Sequence, residues 1–470
     1  MYQYHFHRLL LRSSQFLLAK IYLSNKDLLL MNKSCYHPLP EKRGFNMRKV
    51  IFTGSIANSL EWYDFALYAN FAGLIGQKFF PTFDSNVAMI AAFGVFAVGF
   101  LMRPIGAVIF GTIGDRFGRK LALSLSILSM SIPTALVGLL PTYEIIGVWA
   151  PILLTLMRLL QGLSMGGALM GSASYIIEHA HPKNRGVAGS ASMFSLCLGF
   201  TFGSVVAWAL STYMTHDNFM SYGWRLPFLF GIVIMAVSYY IKHHSTESPE
   251  FEEEKTSGCL IKHPFKELMK SYKQVIFTSI SINSLGSVGF YALAVFVSEY
   301  LQSERKFSFA EANSMGSWSM MVIMFTVVFA GAMSDYIGRK RWFILTALAT
   351  IIFIWPFCSM LITGGYLEVC IAQLIFAFII GCYLGPEPAL QMEMYPTNVR
   401  NTGVAFSYNL GCSIFGGTTP LVCKLLFDSF QNIYVLAYYV SGIAVLSIVA
   451  VSFYKNRWVV RSNAKLHSLS

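Results

Sequence analysis

The segment NSLEWYDFALY, Asn58 to Tyr68, places Glu61 and Asp64 three residues apart inside an otherwise apolar run. Residues at that spacing share one face of a helix. An ionised carboxylate at the centre of a bilayer costs about 2.5–3.5 kcal/mol on insertion scales, so such a pair faces a wet cavity or a cation rather than lipid. Arg103 and Arg158 are the other conspicuous charges deep in the same half of the chain. Either guanidinium has the fork that receives a carboxylate through two hydrogen bonds. Burial and a nearby arginine act in opposite directions on a carboxyl's proton affinity, so a cavity that opens and closes can load and unload a proton on Glu61 or Asp64. The competing reading is a static ion network that locks helices together.

Trp62, Tyr63, Phe65 and Tyr68 lie in the same segment, and an aromatic wall attracts a quaternary ammonium. Aromatics make up 15% of the chain, so core packing is the competing role for each. Asn283 and Tyr291 are candidates for neutral hydrogen bonds to a substrate from across a cavity. The segment around Asn283 repeats Asn-Ser-Leu but continues Gly-Ser-Val without acids, which concentrates the expected coupling charge in the first half. Gly385-Pro386-Glu387-Pro388 marks a bend or gate in a helix.

The elements that must position these groups are membrane helices. The chain has 470 residues, is 55% hydrophobic and only 12% charged, and has a mean hydropathy of +0.54. Apolar runs close to the ~20 residues that cross a bilayer recur along most of its length. Twelve spans are expected, near 50–74, 88–110, 121–140, 151–175, 187–211 and 226–242, then 275–299, 313–333, 342–363, 367–391, 402–425 and 433–454. This is an all-α membrane fold of two six-helix bundles, 47–242 and 275–454, joined by a polar linker, 243–274, and followed by a tail, 455–470. Residues 1–46 are broken by Arg, Lys and Ser too often to span, and read as a disordered extension or a mis-assigned start, with Met31 or Met47 as the initiator.

The net charge of +12 does not indicate nucleic acid, because the basic residues collect in alternate short turns. By the positive-inside rule those turns face the cytoplasm, and an even number of spans then puts both termini there. The eight cysteines show no CxxC or ligand-like spacing, and there is no phosphate-binding loop, metal-spaced cluster or nucleophile elbow. No enzyme activity, metal or cofactor is expected.

Two turns repeat. GTIGDRFGRK (Gly111, Asp115, Arg116, Gly118, Arg119, Lys120) returns as GAMSDYIGRK (Asp335, Gly338, Arg339, Lys340) at an offset of 220. Gly162 and Gly166 return as Gly381 and Gly385 at 219, and Glu178 and Arg185 as Glu393 and Arg400 at 215. Two halves of one orientation are the parallel-repeat plan of alternating-access carriers.

GTIGDRFGRK resembles the signature loop of the major facilitator superfamily. NSLEWYDFALY, GFLMRPIGAVIFGTIGDRFGRK and RLLQGLSMGG together resemble its metabolite:proton symporter family, which includes proline/betaine, oxoglutarate and citrate carriers; the proline/betaine transporters are the most similar. The resemblance implies a twelve-helix fold around a central cavity. It further implies symport of a small metabolite driven by a proton or sodium gradient, a functional monomer, and residence in a bacterial cytoplasmic membrane. Glu178/Arg185 and Glu393/Arg400 look like the family's inner gate pairs, with exposed salt bridges of little energy as the alternative. The family often has Glu after the Gly-Gly of the fourth span, where this chain has Ala168. A non-transporting sensor or scaffold that kept the fold is the alternative from another class. The costly interior charges speak against it.

Overall fold

The structure, a computed structural model, describes residues 47–80, 85–258 and 260–453. The expected N-terminal extension and the tail after Tyr454 lie outside the described residues. Eleven helical stretches are long and apolar enough to cross a membrane, from Val98–Phe117 to Tyr434–Ser452. The twelfth span is Met47–Phe79, whose hydropathy is diluted by Asn58, Glu61, Asp64 and Asn70. Large apolar side chains such as Leu101, Phe202, Phe325 and Ile352 stay at least half exposed, as a lipid-facing surface requires.

The two halves pack alike. In the first, span two (Ser85–Phe117) packs on span four (Trp149–His179), and span one on span five (Arg185–Tyr213). In the second, span eight (Phe309–Ile337) packs on span ten (Tyr366–Met394), and span seven (Lys273–Ser303) on span eleven (Thr397–Phe430). The seam between halves is formed by span two against span eleven and span five against span eight. Small residues permit these approaches. A methyl group on Gly162 would lie 2.0 Å from the Gly99 carbonyl oxygen, and one on Gly385 2.2 Å from that of Val327. Glycine is therefore required there by contact between backbones.

The first residue of span one, Met47, packs with Ile241 and Val50 near the linker. The last span ends where Ser452 accepts a hydrogen bond from Lys340 Nζ at 2.8 Å. Both ends of the bundle thus share one face with the repeated turns and the linker. Span ten breaks between Leu384 and Glu387, at the expected Gly-Pro-Glu-Pro. Spans seven and eleven each contain a π-helical turn, Ala292–Phe296 and Cys412–Gly416, a feature concentrated at functional sites.

Candidate functional site

Span one carries its two acids into different surroundings. Asp64 is fully buried and accepts from Arg158 Nη1 at 3.0 Å and from Gln161 Nε2 at 3.0 Å. Arg158 and Gln161 stand three apart on span four, so one helix face supplies both donors. Gln161 also donates to Thr134 on span three at 2.8 Å, and the Arg158 guanidinium lies 3.7 Å from the Tyr68 ring centroid. Spans one, three and four are tied together here. Glu61 is as deeply buried, yet neither of its carboxyl oxygens has a hydrogen-bond partner among the described residues. The charges that act on it are Arg103 and Asp64.

Arg103 crosses the seam. Its Nη1 lies 3.6 Å from Cys412 Sγ on span eleven, and its guanidinium sits 5.0 Å from the Phe100 ring and 5.9 Å from the Trp62 ring. Nε and Nη2 have no acceptor among the described residues. Beside it, a narrow cavity lies between the halves, with Trp62, Phe290, Tyr291 and Tyr408 among its walls and Cys412, the thiol that Arg103 meets, at its edge. Buried guanidinium N–H groups without acceptors are costly unless a ligand completes them. The site can therefore take a carboxylate at Arg103 and a cationic or apolar group against four aromatic rings.

Several positions differ from the sequence-based expectation. Neither arginine is among the cavity walls; Arg158 is committed to Asp64, whereas Arg103 stands one residue behind the wall, against the lining residues Cys412 and Trp62. Tyr63 points into the first half, where its hydroxyl donates to the Pro227 carbonyl at 3.2 Å and its ring packs on Phe202 and Phe230. A helix turns by about 100° per residue, so Trp62 faces the cavity and its neighbour cannot. Asn283 does not line the cavity; its Nδ2 donates to Glu387 at 2.8 Å, and its Oδ1 accepts from Ser287 at 3.1 Å. Glu387 is fully buried, so the second half also holds an interior acid beside the charges that the sequence concentrates in the first. Ala168 is buried as well, so span four carries no acid at that position.

At the linker end the repeated turns close the seam. Asp115 accepts the backbone N–H groups of Asn401 at 3.0 Å and Thr402 at 2.8 Å, near the start of span eleven. Asp335 accepts those of Gly186 at 2.9 Å and Val187 at 3.0 Å, in the first turn of span five. Each half thus presents a carboxylate to the positive N-terminal end of a helix in the other. Gly118 (φ 113°) and Gly338 (φ 98°) supply the left-handed turns that aim them. Arg119 grips Glu178 with two nitrogens at 3.1 and 3.2 Å and donates to the Thr397 carbonyl at 2.7 Å. Its counterpart Arg339 holds Asp335 at 2.7 Å and Glu393 at 3.3 Å.

The ion pairs differ from the two expected from sequence, and they are buried rather than exposed. Glu178 is held by Arg119 and, at 3.0 Å, by Arg400 of the other half. Arg185 pairs with Glu250 at 2.6 Å, and Arg400 pairs with the same carboxylate. Glu250 sits on the linker helix Pro249–Thr256, capped by Ser248, whose Oγ accepts from the Phe251 N–H. Glu247 accepts from the backbone N–H groups of Arg119 at 2.9 Å and Lys120 at 3.2 Å. The linker is therefore a strap over a shut gate. Arg116 lies outside this network with its guanidinium over the Phe117 ring. Sequence reading passed over Glu247 and Glu250; the signal was Ser-Pro-Glu, a helix start rather than a solvated charge run.

The strap also carries a pH response. Burial pushes the Glu254 carboxyl up from 4.5 to about 7; Arg119 and Arg400 pull it down, and Asp115 and Glu178 push it up. A carboxyl held higher in the shut gate than in water favours that gate most below pH 4.5, and the preference is lost as pH rises through about 7. Raising pH from 6 to 8 on this face is expected to lengthen the distance between spin labels at positions 117 and 336. Glu254→Gln should keep the short distance at both pH values; a distance that ignores pH in the unmutated strap would count against this.

Comparison with known proteins agrees with the architecture. The profile of the Major Facilitator Superfamily matches residues 55–420 and 280–465. The chain is 32% identical over 417 residues to the proline/betaine transporter of Escherichia coli (strain K12), covering 86% of this chain and 82% of that one. It is 33% identical over 423 residues to the glycine betaine/proline/ectoine/pipecolic acid transporter OusA of Dickeya dadantii (strain 3937), covering 87% and 83%. The proton:xylose symporter XylE bound to 6-bromo-6-deoxy-D-glucose shares the fold at a TM-score of 0.70 and 16% identity, over 87% of this chain and 94% of that one. XylE from E. coli in a partially occluded inward-open state gives 0.61 at 18% identity, over 87% and 96%. With the repeated halves, the seam cavity and the mirrored gate, these matches lead to one assignment: the chain is a multi-pass membrane protein and a member of the Major Facilitator Superfamily.

Proposed function

We propose that the chain is a proton-coupled symporter of a small zwitterion of the proline/betaine kind, working by alternating access. The observation that carries this is Arg103, which stands behind the Cys412 and Trp62 walls of the seam cavity with two guanidinium nitrogens that have no acceptor among the described residues, near the carboxyl of Glu61. A substrate carboxylate on Arg103 claims the field that otherwise acts on Glu61, so substrate binding and proton binding at Glu61 favour each other. Asp64 and Arg158 set the charge balance beneath it. The Glu61–Asp64 pair handles one proton as a unit. The curated relatives named as proline/betaine transporters support the substrate class.

A di- or tricarboxylate would need a second cation, and among the described residues no lysine or arginine lines the cavity, Arg103 lying behind its Cys412 and Trp62 walls. The basic turns, the linker and both ends of the bundle share one face, which the positive-inside rule makes cytoplasmic. The cytoplasmic membrane of a bacterium is the setting, and the shut gate is the inner one.

The test is uptake of labelled glycine betaine and proline into proteoliposomes with and without an imposed pH gradient, with citrate and oxoglutarate as comparisons and sodium added or omitted. Zwitterion accumulation that follows the pH gradient and ignores sodium is expected. Accumulation of only the carboxylic acids, or binding without exchange, would overturn the reading.

A further inference from the structure

Glu387 is an acid that the first-half mechanism does not use. It opens the segment after the break in span ten, and its side chain is fully buried. Oε1 accepts from Asn283 Nδ2 and Gln391 Nε2, each at 2.8 Å, while Oε2 has no hydrogen-bond partner among the described residues. Among the described residues it forms no ion pair. The groups facing it are the two amides and, within electrostatic reach, the phenols of Tyr383 and Tyr408. This differs from Asp64, which an arginine matches directly.

Its position gives the free oxygen a route. A methyl group on Gly286 would lie 3.1 Å from Glu387 Oε2 and 2.7 Å from Leu384, and both Gly286 and Leu384 line the seam cavity. The carboxyl is therefore one residue layer behind the wall. The break at Gly385-Pro386 lies immediately before it, and Gly385 packs on the Val327 backbone, another cavity wall. A rearrangement at that break moves the oxygen relative to the cavity. An uncompensated buried carboxyl, a hinge and a cavity wall coincide in one place.

We propose that Glu387 is a second proton-binding site of the carrier, contributed by the second half, so that two protons move with each substrate molecule. The inference rests on the symport reading above. A proton enters from the cavity onto Oε2 and leaves by the same oxygen when the hinge presents it to the other side. No electron transfer or covalent step is involved. Asn283 and Gln391 are positioning residues that hold Oε1 and leave Oε2 free.

The experiment is the limiting accumulation of glycine betaine in proteoliposomes at a pH gradient of one unit, with the membrane potential clamped at zero by potassium and valinomycin. Each coupled proton contributes about tenfold. The unmutated carrier is expected to reach roughly hundredfold, Glu387→Gln roughly tenfold, and Glu387→Asp to return toward the higher limit. Counterflow shows that the variant is assembled. A tenfold limit in the unmutated carrier overturns the proposal even if Glu387→Gln does not assemble, as does an unchanged limit in Glu387→Gln. No accumulation in the unmutated carrier would instead overturn the symport reading beneath it.

Discussion

Asp64→Asn is expected to cut the limiting accumulation of substrate from roughly hundredfold to the roughly tenfold that one remaining coupled proton supports at a pH gradient of one unit, while counterflow exchange continues. In the native first half two acids face two arginines; Asp64 pairs with Arg158, and among the described residues neither carboxyl oxygen of Glu61 has a hydrogen-bond partner. Asparagine at 64 leaves Arg158 unmatched, so Glu61 is left with two cations and no cause to exchange a proton as the cavity opens. Exchange needs only the moving halves and Arg103, so it persists. Glu61→Gln should give the same phenotype by removing the exchanging group itself, and the two changes should not add, because the pair acts as a unit. Breaking a buried pair on one side costs about 3–5 kcal/mol, so Asp64→Asn should also lower thermal stability. Asp64→Asn with Arg158→Gln should recover much of that stability without recovering accumulation. An accumulation limit unchanged in Asp64→Asn would remove it from coupling and leave the Asp64–Arg158 contact as a structural tie.

Arg103→Gln carries the second large effect. A buried guanidinium that donates to a substrate carboxylate contributes on the order of 3 kcal/mol to binding, which is about a hundredfold in affinity. The KM for glycine betaine should rise by roughly that factor, with a smaller change for a ligand lacking the carboxylate. Arg103→Lys keeps the charge but loses the fork, and should recover only part of the affinity. Arg158→Lys, by contrast, should act on stability and coupling, since its guanidinium is engaged by Asp64 and Tyr68. Measuring KM and maximal rate for the three variants separates these roles. A normal KM in Arg103→Gln would move the carboxylate subsite elsewhere in the cavity.

The sequence made the span pattern legible because each run of about twenty apolar residues needs no tertiary information to be recognised. The duplicated turns were legible for the same local reason, and their mirrored Asp115 and Asp335 bonds give the repeat its physical meaning. That two acids and two arginines of the first half balance was legible; that Asp64 is the acid that meets Arg158 was not. Which arginine stands against the cavity wall could not be read, because that depends on how span two is rotated against span eleven. Tyr63 and Trp62 show the same limit one residue apart. Glu387 was hidden by its neighbours: two prolines and a glycine advertise a bend, and the acid between them carries no partner in local sequence. The gate pairs were assigned to the wrong partners because Glu178 meets Arg400 across 222 residues, a contact that exists only when the halves close.

Glycine betaine carries no net charge, so any current that accompanies its entry belongs to the coupling ion. The deciding measurement is the transient current from proteoliposomes on a supported membrane after a glycine betaine jump at equal pH on both sides, in sodium-free buffer. An inward positive current that grows as the outer solution is acidified, and falls by about half in Glu61→Gln while substrate binding remains, is the expected result. Glycine betaine uptake with no accompanying current would contradict proton coupling through the carboxyls of span one.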